Sequence, residues 1–257
     1  MTGEVLRSEW TKMRSVRSTM WTLISAAVLM LVIGGLLSFA VSNSAEESAE
    51  FSVDQALNIS LGGLQFAALA IATLGVLVIS GEYRTGMIRT SLLGVPQRLR
   101  LLAAKVAVFT VVSLVVTTAA AFAAFFLGQA FLGTKNLDAA IGDPGVMRAV
   151  FGAALFLTAS GLFGLALGAL IRHTPGALVA VIALNLVLPQ MAQMLQMLPG
   201  EWGPTVARYF TSNAGTLVAR VMPAEGALGP WTGFGVYLVW IAVPMVAAAI
   251  LLRRRDA

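Results

Sequence analysis

Long apolar runs separated by short polar stretches dominate this chain. Six of them approach or exceed the roughly 20 residues a helix needs to cross the hydrocarbon of a bilayer: about 21–41, 61–80, 106–132, 147–171, 177–198 and 231–252. Their interiors hold no Asp, Glu, Lys or Arg, and the nearest charges sit at their ends. In hydrocarbon, a helix satisfies its own backbone, whereas strands must close into a barrel. A barrel would show alternating segments of about ten residues, and none occur. The pattern predicts an all-α, polytopic membrane protein with six transmembrane helices. The first run could be read as a signal peptide cleaved near Ala45. It is too long for an h-region of about 7–15 residues, so an uncleaved helix is expected.

The segments between the runs carry their own patterns. In residues 3–20, Leu6, Trp10, Met13, Arg17 and Met20 recur at helical spacing, with Val16 beside them. Glu4, Arg7, Ser8, Thr11, Lys12, Arg14 and Ser15 take the other faces. This predicts an amphipathic interfacial helix over residues 1–20, its basic side toward lipid phosphates. A plain basic anchor is the simpler alternative. Residues 21–257 form the transmembrane domain.

Segment 81–105 reads GEYRTGMIRTSLLGVPQRLRLLAAK. Gly81 ends the second span, Gly86 and Gly94 break the chain, and Pro96 suits the first turn of a new helix. A protruding helical hairpin is expected where a few residues would suffice as a connector. That excess length suggests a docking element; a snorkelling basic loop is the alternative. Residues 199–230 mix Trp202, Tyr209, Phe210, Val218, Val221 and Met222 with Pro199, Pro204 and Pro223. They are too apolar for a solvated loop and too interrupted for a span, which fits a re-entrant outer segment between helices five and six. The acidic, Ser-rich stretch between the first two spans reads as a solvated connector.

Charge supplies an orientation. Of 17 Lys and Arg residues, 13 fall on the face shared by the N-terminus, segment 81–105, the turn at Arg172 and the C-terminal tail. Eight of 12 acidic residues fall on the other face. The positive-inside rule then places both termini on the cytoplasmic side of the membrane. The net charge of +5 is explained by an anionic lipid leaflet. No basic patch carries base-stacking groups, so nucleic acid is not an expected partner. Charged residues are 11% of the chain, against roughly 25% in soluble domains, which excludes a soluble fold. The absence of cysteine removes disulfides and thiolate metal sites, and the single histidine removes a His-rich zinc site.

Familiar catalytic patterns fail. Residues 128–135, GQAFLGTK, place Thr134 between glycine and lysine and follow no strand, so they are not a phosphate-binding loop. SLGGLQ at 60–65 resembles an ATP-binding-cassette signature only by composition. His173 has no nearby carboxylate. No ionisable group sits at mid-membrane, which disfavours an ion-driven carrier and an intramembrane enzyme. What remains is uncharged. Gly161, Gly164 and Gly168 include a GxxxG packing motif. Asn185, Pro189, Gln193 and Gln196 share a face, with Met191, Met194 and Met197 beside them. Asn185, Gln193, Gln196 and Met194 are candidates for the path of a bulky amphipathic molecule. Interhelical hydrogen bonding and lipid contact suit them equally.

Gly81, Glu82, Tyr83, Arg84, Gly86, Ile88, Arg89, Pro96, Arg98, Ala104 and Lys105 together resemble the hairpin of type-2 ATP-binding-cassette (ABC) exporter permeases, particularly actinobacterial ones. Met87 stands where those members often have threonine. EWTKMRSVRSTMW, residues 9–21, resembles the family's interfacial helix. The six-span plan matches as well. The resemblance implies a dimeric permease, built with a second copy or a paralogue, docked on two separately encoded ATPase subunits. The hairpin would be the coupling helix, with Glu82, Tyr83, Arg84, Gly86, Arg89, Pro96 and Arg98 orienting it or touching the ATPase. ATP and magnesium would bind the partner, leaving this chain without a cofactor or enzymatic activity of its own. The cargo would be hydrophobic or amphipathic, such as an antibiotic, peptide or lipid-like molecule, exported as in multidrug or antibiotic efflux. An ATP-independent carrier or scaffold is the alternative function.

Overall fold

The computed structural model describes residues 2–45, 51–87, 98–195, 202–222 and 226–254. Helix α1 (Thr2–Ser15) carries Glu4 in its first turn and Lys12 and Arg14 in its last, which complements the helix dipole. Val16 is extended and bends the chain into α2 (Arg17–Ser44). Then come α3 (Val53–Ser60), α4 (Leu64–Thr85), α5 (Arg98–Leu132) and α6 (Val146–Ile171). Helix α7 (Thr174–Ile182) runs through a π-helical turn (Ala183–Val187) into α8 (Leu188–Leu195). The stretch between the last two spans forms α9 (Trp202–Arg208), α10 (Thr211–Gly215) and a 3₁₀ turn (Thr216–Ala219), before α11 (Pro230–Arg254). Every regular element among the described residues is helical, and six helices are long and apolar enough to span a membrane. The all-α, six-span expectation is met.

Helix α6 is the axis of the bundle. Its apolar window is 78% buried, against 50% or less in the other five candidate spans. Small residues allow this. A Cβ on Gly164 would strike the Ala72 backbone, one on Gly168 would meet Val76, and one on Gly75 would strike the Gly161 backbone. The GxxxG motif therefore packs α6 on α4, the closest backbone approach being reciprocal.

Two expectations need correction. The second span does not end at Gly81. Helix α4 continues to Thr85, and Gly86, at φ 70°, makes the left-handed cap that stops it. The stretch between the first two spans is not all solvated connector. Ser52 and Gln55 form a capping box that starts α3, which buries Ala56, Leu57 and Ser60. Asp54 then accepts the backbone N–H of Val221 at 2.8 Å and pins the stretch between the last two spans. Apolar count alone missed a short helix whose packing comes from distant chain.

The π turn has a local cause. Pro189 has no N–H, so the carbonyl of Asn185 loses its helical donor. Leu188 reaches back to Ala183 instead, which frees the carbonyl of Leu184. Side chains fill both vacancies. Thr211 Oγ1 donates to Leu184 O at 2.7 Å, while Gln65 Nε2 and Ser212 Oγ donate to Asn185 O at 2.9 and 3.1 Å. The stretch between the last two spans is thereby sewn into the bundle.

Candidate functional site

Four charged side chains meet at the end of the bundle where α1, α4 and α5 converge. Helix α1 turns Glu9 and Met13 inward, with Lys12 part-buried between them, while Leu6 and Trp10 remain exposed. Glu82 comes from the last turns of α4 and Lys105 from the first turns of α5. Lys105 Nζ donates to Glu9 Oε2 at 2.7 Å and to Glu82 Oε1 at 2.8 Å. Lys12 Nζ donates to Glu9 Oε1 at 2.7 Å and to Glu82 Oε1 at 3.2 Å. Glu9, Glu82 and Lys105 are 2%, 8% and 4% exposed, so these charges have left water.

Burial of an unpaired charge is costly, and two carboxylates balanced by two ammoniums offset that cost. Burial by itself would raise the Glu9 carboxyl, but Lys105 and Lys12 outweigh it and hold the group below its ordinary value. Burial by itself would lower the Lys12 ammonium, but Glu9 and Glu82 hold it above its ordinary value. The cluster is an ionic clasp that ties α1 to both feet of segment 81–105. This corrects the expected orientation of α1. Lys12 faces the protein, not lipid phosphate, because buried Glu9 and Glu82 are better partners.

Other contacts extend the clasp. The Arg172 guanidinium lies over the Tyr83 ring, 5.2 Å from its centroid, joining α4 to the turn after α6. Arg172 itself is a left-handed helix cap at φ 59°. Arg98 donates to Leu252 O at 3.1 Å, joining the start of α5 to the end of α11. His173 caps α7, its Nδ1 accepting the Gly176 N–H at 3.4 Å. Thr174 Oγ1 donates to Ser80 Oγ at 2.9 Å.

Of the hairpin residues singled out from sequence, Glu82, Tyr83 and Arg98 thus make internal contacts at this end of the bundle. Arg84 is exposed, and Gly86 caps α4. Arg89 and Pro96 lie outside the described residues. Of the proposed path residues, Asn185 is 3% exposed and accepts a hydrogen bond from Tyr237 Oη at 3.2 Å. Met194 is 69% exposed, so the structure does not bring these two to a common surface. The Gln193 side chain and Gln196 fall outside what is described. Sequence reasoning missed Glu9, Lys12 and Lys105 as a group. The available signal is a carboxylate at Glu9, on the Met13 side of the helix, and an acid–base pair, Glu82 and Lys105, flanking the hairpin.

The geometry now has a family context. Residues 5–191 match the model of the family described as ABC-2 family transporter protein. The matched stretch contains all four residues of the clasp. No curated protein matches the chain.

Proposed function

The chain belongs to the ABC-2 transporter family, and on that footing we propose that it is the permease subunit of an ABC exporter. It is a multi-pass membrane protein of a family whose members work with an ABC ATPase. In our reading two permeases, identical or paralogous, sit on two ATPase subunits at the cytoplasmic face of a bacterial inner membrane. Segment 81–105 enters the ATPase, and α1 forms the second contact. The cargo is hydrophobic or amphipathic, an antibiotic, peptide or lipid-like molecule, and moves outward. ATP and magnesium stay on the partner.

The observation that carries this reading is the buried clasp. It makes α1, the end of α4 and the start of α5 one mechanical piece. Tyr83–Arg172 and Arg98–Leu252 connect that piece to α6 and α11. A displacement imposed on the hairpin by ATPase closure would reach four spans together rather than bend a loop. Exposed Arg84 offers a partner contact beside the clasp.

Purified alone, the protein is expected to hydrolyse no ATP, and a partner ATPase is expected to co-purify. Arg84→Glu should reduce capture of that partner by more than about tenfold, because like-charge contacts across an interface cost several kcal/mol. Unchanged capture would sink the docking role. Ion-gradient-driven flux without any ATPase would replace the exporter with a carrier.

Orientation has its own test. The chain contains no native cysteine, so single cysteines report cleanly. Thr85 and Thr134 are exposed near opposite ends of the bundle. Thr85→Cys should label only from the cytoplasmic side and Thr134→Cys only from outside. The reverse pattern would invert the topology.

A further inference from the structure

Beside the clasp lies a cavity of about 490 Å³, bounded by α1, the start of α2 and the end of α4. Its volume falls in the usual range for ligand pockets, about 300–1,000 Å³. Met13, Leu74, Leu77 and Val78 make one wall apolar. The clasp, Ser18, Thr19 and Arg84 make the other polar. Val16 and Leu77 line the cavity and are exposed, so it opens sideways at the surface of the spans. We propose that this cavity holds the phosphate head of an anionic membrane lipid.

Donors that the fold leaves unused point to an anion. Thr19 is 5% exposed and lines the cavity, yet its hydroxyl has no hydrogen-bond partner among the described residues. The Ser18 hydroxyl and the Arg84 guanidinium line the same cavity and are likewise without one among those residues. Ser18 and Thr19 lie in the first turn of α2, where backbone N–H groups lack intrahelical acceptors. Val16 stands at the cap, and no side chain accepts from that turn. Helix α2 also turns the positive end of its dipole toward this place, and 28 residues contribute to it.

Charge decides among lipid heads. Lys12, Lys105 and Arg84 line the cavity against Glu9 and Glu82, an excess of one cation. Both Glu9 oxygens and Glu82 Oε1 already accept from the lysines, and Glu82 Oε2 is itself buried. A head bearing an ammonium would therefore find no carboxylate oxygen open to it. A sugar head would meet the hydroxyls but leave the charge of Arg84 unmatched. A phosphate head with net negative charge answers both. The five N–H donors of Arg84 suffice for a phosphate on one side and a protein partner on the other. The apolar wall assigns the phosphate to a lipid, whose acyl chain would lie along Leu74 and Leu77 and leave past Val16 into the bilayer.

The test uses the purified permease alone, without ATPase or nucleotide. It is reconstituted in nanodiscs containing equal phosphatidylglycerol, phosphatidylcholine and glucosyl diacylglycerol of matched chains. Native mass spectrometry then reads which lipid stays bound. The expected result is one phosphatidylglycerol per chain, favoured over each of the others by about tenfold or more, the worth of one charge-assisted hydrogen bond. Thr19→Val and Arg84→Gln should each remove most of that preference, and Leu77→Trp, which fills the cavity from its apolar wall, should abolish it. None of the three should lower the melting temperature in a neutral detergent. Arg7→Gln removes an exposed cation that does not line the cavity, and should leave the preference intact. Glycerol phosphate in excess should not displace the lipid. Equal retention of the three lipids, preference for either of the other two, displacement by glycerol phosphate, full preference in Thr19→Val or Leu77→Trp, or loss of preference in Arg7→Gln would each overturn the proposal. Because no ATPase takes part, such failure would leave the exporter reading standing.

Discussion

Lys105→Met is expected to cost about 3–5 kcal/mol of stability, the usual consequence of removing one partner from a buried ion pair. Lys105 Nζ touches Glu9 Oε2 and Glu82 Oε1, and all three residues are under a tenth exposed. Without it, two buried carboxylates share Lys12 alone. Helix α1 should detach, which limited proteolysis near residue 16 would report alongside a lowered melting temperature. The double variant Glu82→Leu/Lys105→Met separates lost charge balance from lost packing. It removes one acid and one base, and Glu9 keeps Lys12 at 2.7 Å. Replacing a balanced buried pair by apolar groups is often neutral, so the double variant should regain most of the loss. If Lys105→Met melts like the parent, the cluster is not a clasp.

The same contacts fix a pH range. Glu9 has its folded value depressed below 4.5. Its contribution to stability is therefore complete above pH 4.5 and is lost as pH falls through the depressed value. Lys12 is raised above 10.5, so its contribution is complete below pH 10.5 and is lost only as pH climbs through the raised value. Release of α1 is expected in acid below pH 4.5, with no step attributable to these two groups between pH 4.5 and 10.5. A protease-sensitivity step at neutral pH would contradict their assignment as paired charges.

The contrast between spans and clasp shows what a sequence reveals. A span is a local property: about 20 apolar residues leave the backbone few alternatives in lipid. Residues 147–171 and α6 (Val146–Ile171) accordingly agree to one residue at the start. Where charge interrupts an apolar run, hydropathy and helix part company. Helix α5 starts at Arg98, well before the apolar run at 106, because arginine and lysine are good helix formers that merely do not belong in lipid. The clasp is legible only in part, since it joins residues far apart in the chain. Glu82 stands out through its motif, but Lys12 reads as the polar side of a surface helix, and Glu9 enters only as the first residue of the stretch 9–21. Only packing shows that α1 turns them inward. From sequence, path lining and interhelical hydrogen bonding suit Asn185 equally; in the structure its side chain accepts from Tyr237, and its carbonyl, freed by Pro189, is claimed by Gln65 and Ser212. The sequence shows the proline; it does not show the donors that answer it.

Two glycine-to-alanine substitutions should move stability in opposite directions, which tests whether the α4–α6 contact sets the frame. In a helix interior, Gly→Ala ordinarily stabilises by about 0.5–1 kcal/mol because glycine loses more backbone freedom on folding. Gly235 on α11 is exposed, and a Cβ there meets nothing within 4 Å, so Gly235→Ala should gain that amount. Gly164→Ala puts its methyl against the backbone carbonyl of Ala72, which cannot swing aside as a side-chain tip can. Helix α4 must then shift bodily, and overpacking of this kind costs about 1–3 kcal/mol, sometimes more. Gly75→Ala presses the Gly161 backbone from the other side. The two substitutions separate the same pair of helices, so their joint effect should be less than the sum. The shift has a second readout because α4 also carries Glu82, about two turns beyond Gly75. Moving α4 moves Glu82 relative to Lys105 and loosens the clasp. Gly75→Ala should therefore sensitise α1 to protease while Gly235→Ala does not. Stabilisation by Gly164→Ala equal to that by Gly235→Ala would mean that the two backbones do not meet as closely as drawn.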